Sequence, residues 1–309
     1  MADNFLELKN VTKRYDQHIA VNNVSMQVPR GKIYGLLGPN GAGKTSTIRM
    51  ITQITYPDSG QIIFDGHPLQ PSDVNNIGYM PEERGLYKKM KVKDQIEYLL
   101  TLKGLKPKEA KAKRKEWMEK LGLSDWNDRK TTDLSKGMQQ KVQFISTVAH
   151  EPPLLILDEP FSGLDPVNAQ VVEDELMRMK NDGATIIFST HRMEQVEELC
   201  DYIGLISRGS LILEDDITSV RKRFQHNVYL IDFVGDGSVI QKIQNVNVLE
   251  MTERSAKVKL PEGQGAKSIM KTLLDTPLEL LKVELHLPRL QEIFIELVGK
   301  DAAVAAQMK

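Results

Sequence analysis

Apolar and polar positions alternate in three distinct ways along this chain. From Phe5 to Val28 short apolar runs break near Asp16–His18, which predicts short strands in a small antiparallel layer. Lys32 to Leu37 is an apolar run entering a glycine-rich loop, and Ile48, Ile51 and Ile54 then take helical spacing over 45–54. From Lys91 to His150 the period is helical. Ile96, Leu99, Leu100 and Leu102 mark one helix that closes near Gly104. Pro107 opens a second, which passes Trp117 and Met118 and stops at Gly122. Met138, Val142, Ile145 and Ala149 line the apolar face of a third. Strand patterns return at 154–157, 185–189 and 203–207 with helical stretches between them, the alternation of a largely parallel sheet flanked by helices.

After about Thr218 the pattern changes again. Strands at 228–234, 246–251, 256–260 and 281–287, with helices at 238–244 and 266–274, give the order βαββαβ. That order suggests a small α+β domain of ferredoxin-like type. Leu281, Val283, Leu285 and Leu287 alternate with Lys282, Glu284 and His286, which predicts one buried face. Leu290, Ile293, Phe294, Leu297 and Val298 form the stripe of a terminal helix, and Arg221-Lys222-Arg223 reads as a solvated helix end or linker. Two domains are expected, 1–217 and 218–309.

Composition narrows the class. Of 309 residues, 40% are hydrophobic and 27% charged, the balance of a soluble globular protein. A net charge of −1 supplies no global field to recruit nucleic acid or lipid, so no nucleic-acid partner is expected. No apolar run nears the roughly 18 residues that span a bilayer, and MADNFLELKN lacks a signal segment, so a cytoplasmic location is expected. The six histidines lack metal-ligand spacing, which argues against zinc. Cys200, in the helical-looking ELCDYI, reads as a small buried apolar residue.

Two segments carry recognisable chemistry. Gly38 to Thr45 reads GPNGAGKT between a strand and a helix, the context of a phosphate-binding loop. Gly38, Gly41 and Gly43 let backbone N–H groups close around phosphates; Lys44 reaches the β- and γ-phosphates, and the Thr45 hydroxyl ligates Mg²⁺. Leu154 to Glu159 reads LLILDE, a buried-type strand ending in two acids. Asp158 is placed to hold Mg²⁺ and Glu159 to accept a proton from attacking water. Pro160 also lets the acid pair serve as a helix N-cap, and both readings stand together.

Between these lies Leu134-Ser135-Lys136-Gly137-Met138-Gln139, which resembles the LSGGQ-type signature of ABC ATPases. Lys136 and Met138 depart from it; Ser135 and Gly137 retain it. With the flanking motifs, residues from Phe5 to about Ile217 resemble the ATP-binding subunit of an ABC transporter. The resemblance implies an α/β P-loop cassette with a mixed sheet core, an antiparallel β layer and a helical subdomain at about 85–150. It implies ATP and Mg²⁺ as ligands, with Asn40 and Ser46 joining the phosphate-loop residues. Tyr15 matches the aromatic residue that stacks on adenine. Ser135 and Gly137 match the contacts made to the γ-phosphate from a second subunit, and Asp165 of SGLDP matches the acid at the dimer seam. His191 matches the switch histidine at the γ-phosphate. Glu82 stands where the family has a glutamine, so it either keeps the metal contact or faces the membrane subunit.

One chain carries one phosphate loop and one signature, so the resemblance implies a homodimer, or pairing with a second cassette subunit, around ATP. Separate transmembrane permease subunits would dock on the helical region, at the inner face of the membrane. PEERGLY, LSKGMQQK and LQEIFIELVG resemble bacterial export ATPases of the sodium-efflux and antibiotic-resistance type, whose accessory domain serves regulation, dimer support or passive stabilisation. The alternative is a soluble ABC ATPase acting on ribosomes or nucleic acid. Those members carry two cassettes with a basic linker, or an inserted coiled coil or zinc module, and neither pattern occurs here.

Overall fold

Two strands of 12 residues each, β1 (Asn4–Tyr15) and β2 (His18–Pro29), pair as an antiparallel hairpin. The computed structural model describes residues 3–83, 85–190 and 192–307, with side chains described as far as Gly299. The expected short strands are therefore two long ones, because shifts of register bend the hairpin without ending it. β3 (Ile33–Leu37) is buried at every position and runs into the glycine loop that opens α1 (Lys44–Ile51). The helix expected over 45–54 stops at Ile51: the Thr52 hydroxyl turns back to the Ile48 carbonyl at 3.0 Å and Gln53 adopts a φ of 56°. Ile54 consequently lies 58% exposed, outside the apolar stripe.

β4 (Ser59–Phe64) and β5 (His67–Pro68) complete the first layer, in the order β2-β1-β4-β5. After β6 (Ile77–Met80) come three helices, α2 (Val92–Leu102), α3 (Pro107–Lys120) and α4 (Lys136–Val148). Trp117 of α3 packs edge-on against Phe144 of α4, both fully buried, and locks these helices together. β7 (Leu154–Asp158), α5 (Pro166–Asn181), β8 (Thr185–Ser189), α6 (Met193–Leu199), β9 (Tyr202–Ser207) and β10 (Ser210–Asp216) then complete a second sheet, ordered β10-β9-β3-β8-β7-β6. Its strands are parallel except β10, which returns antiparallel beside β9. Strands buried on both faces need near-continuous apolar sequence, which β3, β7 and β8 supply. Apolar residues of both sheets share one core. Cys200 is buried as a single extended residue just past α6, not within a helix, and burial pushes its thiol pKa up.

The chain divides into two compact units, residues 1–217 and 218–309. Around the boundary runs α7 (Ile217–Arg223). Arg221 is more than a solvated end: its guanidinium donates to the Pro288 carbonyl at 3.0 Å and the Leu287 carbonyl at 3.3 Å. β11 (Val228–Val234), α8 (Ser238–Gln241), β12 (Asn247–Met251), β13 (Ser255–Lys259), α9 (Ala266–Leu274) and β14 (Glu279–Leu285) follow, then α10 (Leu290–Gln307). The sheet is antiparallel, ordered β12-β13-β11-β14, which is the ferredoxin-like order. The alternation expected along 281–287 does not translate into a buried face. A register shift between Asp232 and Phe233 inserts one extra residue in β14. Leu280 and Val283 pack on the core, and Leu281 is left 61% exposed.

One buried group makes the first unit acid-sensitive. Both ring nitrogens of His150 are buried and have no hydrogen-bond partner among the described residues, and burial, aided by Lys103, lowers its pKa from 6.5 to about 4. The fold prefers neutral imidazole while the unfolded chain binds a proton below about 6.5, so stability is lost as pH falls through that window. At about pH 5 the expected loss is about 2 kcal/mol. Urea unfolding at neutral and acid pH should show this component in the wild type and not in a His150→Phe variant.

Candidate functional site

The C-terminal ends of β3, β7 and β8 meet at one edge of the parallel sheet, and the loops that leave them enclose a cleft of ≈ 690 Å³. Ligands of open α/β sheets bind at this edge. The loop 38–43 folds where only glycine fits at two points. A Cβ on Gly38 would stand 2.2 Å from the Ile206 carbonyl oxygen, and one on Gly43 would stand 2.3 Å from that of Ala20, with φ of 151° and 112°. No side chain among the described residues caps α1, which leaves its first-turn N–H groups to an anion. Lys44 donates to the carbonyls of Gly38 at 2.6 Å and Pro39 at 3.1 Å, which folds the loop around its ammonium.

Tyr15, at the end of β1 and 39% exposed, forms one wall. Asn40, Gly41, Gly43, Lys44, Thr45 and Ser46 form the floor, and Glu82, Asp158 and Glu159 face them. Asp158 is buried, and burial raises its pKa; the Ser189 hydroxyl and Lys44 oppose the shift, while Glu82 and Glu159 reinforce it. Burial lowers the pKa of Lys44 against the pull of Asp158, Glu159 and Glu82. Three carboxylates thus surround one ammonium, an excess of negative charge that suits a divalent cation. Among the described residues no three His, Cys, Asp or Glu side chains converge closely enough to hold a metal by themselves. A hydroxyl, one or two carboxylates and substrate phosphates are the donor set magnesium prefers, and Thr45, Asp158 and Glu82 line the cleft with groups of that kind.

Glu159 adopts a φ of 52°, a left-handed conformation that costs a non-glycine residue about 1–3 kcal/mol. Its backbone is held by a 2.8 Å bond from its N–H to the Ser189 carbonyl, and its carboxylate accepts from the Thr190 hydroxyl at 3.2 Å. Gln140, on α4 and 2% exposed, donates to the Glu159 and Pro160 carbonyls at 3.2 and 3.0 Å. Gln140 and Thr190 have no motif of their own, and only their positions after Ser135 and after β8 could have flagged them. His18, Ala20 and Ser189 also line the cleft without having been singled out for it.

The signature lies elsewhere. Ser135 is exposed and caps α4, accepting from the Met138 N–H at 3.3 Å. Gly137 packs so close to the following loop that a Cβ would lie 3.0 Å from the Gly163 carbonyl oxygen. Asp165 caps α5 through the Asn168 N–H at 3.0 Å. Neither Ser135, Gly137 nor Asp165 lines the cleft. His191 lies outside the described residues.

Comparison with known proteins agrees with this geometry. The ABC transporter family matches residues 21–162, and the ATP-binding protein DrrA1-3-like C-terminal domain matches residues 216–298. The ABC transporter ATP-binding protein YhaQ of Bacillus subtilis (strain 168) is 40% identical over 294 residues, 95% of this chain and 98% of that one. The bacitracin transport ATP-binding protein BcrA of Enterococcus faecalis is 30% identical, covering 95% of this chain and 96% of its own length. A solved ATP-binding subunit of an ABC transporter superposes with a TM-score of 0.68 at 30% identity, over 71% of this chain and 93% of that structure. With a phosphate loop, an acid-tipped strand and a signature helix in this order on this fold, the chain belongs to the ATP-binding proteins of ABC transporters.

Proposed function

We propose that two copies of this chain close around ATP and hydrolyse it to drive export through separate transmembrane subunits. The observation that carries this reading is the separation of signature from cleft. Ser135 and Gly137 stand outside the pocket that holds Lys44, so one chain offers half of each of two sites. A second copy in a two-fold arrangement completes both. Tyr15 stacks on the adenine, and the loop N–H groups, Lys44 and Ser46 hold the phosphates. Thr45, Asp158 and Glu82 hold Mg²⁺, which neutralises phosphate charge when bound. Glu159 accepts the proton of the attacking water, and His191 approaches the γ-phosphate. Asp165 lies at the seam between copies.

Relatives named for bacitracin transport, lantibiotic transport and linearmycin resistance support the export direction. No helix among the described residues is long and apolar enough to cross a membrane. A groove of ≈ 360 Å³ lined by Tyr79, Leu86, Leu99, Leu102 and Thr147 offers a docking place for a cytoplasmic helix of the permease. That contact holds the chain at the inner face of the membrane.

A mixing experiment tests the composite site. Lys44→Ala removes the phosphate contact, and Ser135→Arg blocks the signature; each variant alone should be inactive. Equal mixing makes half of the dimers mixed, each with one intact site, so about a quarter of wild-type turnover should return. A mixture as inactive as its components would reject assembly across two chains.

A further inference from the structure

We propose that the second unit carries its own two-fold contact, made by the open edge of β14 with β14 of a second copy. β14 is the last strand of its sheet. His286 donates its N–H to the Val228 carbonyl at 2.8 Å, and Glu284 and Lys282 stand opposite Leu230 and Asp232. In an antiparallel ladder these alternate residues turn their N–H and C=O groups toward β11, so Val283 and Leu285 turn theirs to the open edge. That edge is a template for one more strand.

The sequence of the edge is complementary to itself. In antiparallel pairing centred on Val283, Val283 meets its own copy as a hydrogen-bonded pair, which its outward-facing backbone groups permit. Lys282 then stands opposite the Glu284 of a second copy, and Glu284 opposite the second Lys282. Each of these two pairs of opposite charge across the strands adds stability. The Lys282 and Glu284 side chains are 57% and 52% exposed, so both stand open to such a partner. Within one chain Lys282 and Glu284 already pair with each other, which places both on one face of the strand. A strand edge with charge of one sign opposes its own copy, whereas Lys282 and Glu284 stand in a register that matches itself. The contact is isologous and closes at two copies. It requires no nucleotide, so it is separable from the ATP-dependent closure proposed above.

Cysteine pairing reads the register in the full-length, nucleotide-free chain. Opposed residues of a non-hydrogen-bonded pair have Cα atoms about 4.5 Å apart, within disulfide reach. Under mild oxidation a mixture of Lys282→Cys and Glu284→Cys chains should therefore cross-link into dimers, and neither variant alone should, because equal positions lie on the diagonal. The native Cys200 is buried and leaves the readout clean. In sedimentation, Lys282→Glu should lower the dimer fraction severalfold, and adding Glu284→Lys should restore it. Both positions are exposed, so matched melting curves will confirm intact folding. Cross-linking absent from the mixture, cross-linking equal in the single variants, or a charge reversal without effect on the dimer fraction would each overturn the proposal.

Discussion

Glu159→Gln is expected to lower ATP turnover by about 10²–10⁴-fold, the usual worth of a positioned general base. The substitution keeps the shape of the side chain and its bond from the Thr190 hydroxyl, and removes only the capacity to take a proton. Lys44, Thr45 and the loop glycines are untouched, so nucleotide affinity should hold. A chain that binds ATP and does not hydrolyse it should accumulate in the closed form. Light scattering with Mg²⁺ and ATP should then report a dimer for the variant under conditions where the wild type cycles back to a mixture. Turnover equal to wild type would remove Glu159 from the reaction. Lost turnover without a stable dimer would separate the chemistry from the closure and place the driving force for dimerisation in the membrane partner.

The parts of this site that are local in sequence are legible there. The phosphate loop is one continuous segment whose glycines answer to backbone approaches at Ile206 and Ala20, and the acids end a strand whose apolar run marks its burial on both faces. The same holds for βαββαβ in the second unit, where each element has its own period. What the sequence hides is whatever depends on a partner element. β4, β5 and β6 are six residues or fewer, too short to show a period, and are strands because neighbours pair with them. Leu281 looks inward by alternation and is exposed because one extra residue enters the ladder opposite Asp232 and Phe233. Ile54 has the right spacing from Ile51 and the wrong backbone, since the chain has already turned at Gln53. Gln140 is the instructive miss: its bond partners lie 19 and 20 residues away, across a strand and its turn.

Gln140→Met is expected to reduce turnover about ten- to a hundredfold with little change in KM for ATP. The side chain is buried and gives both hydrogens of its amide to the turn that carries Glu159. The Glu159 carbonyl keeps the Ser162 N–H at 3.1 Å, but leaving the buried Pro160 carbonyl without its donor costs about 1–3 kcal/mol, comparable to the strain that the left-handed conformation of Glu159 stores. Releasing the turn therefore lets Glu159 relax, and its carboxylate leaves the place that β8 and Thr190 fix for it. Methionine keeps the volume, so the packing of α4 against the loop changes little. The consequence reaches further than one carboxylate, because α4 begins at Ser135: in the dimer proposed above, a single amide would join the helix that completes the partner's site to the acid of its own. Rate should thus fall in the chemical step, seen as a loss of kcat in single-turnover as well as steady-state measurement. A purely structural role predicts something else, a lower melting temperature with unchanged turnover per folded molecule, and that outcome would confine Gln140 to packing.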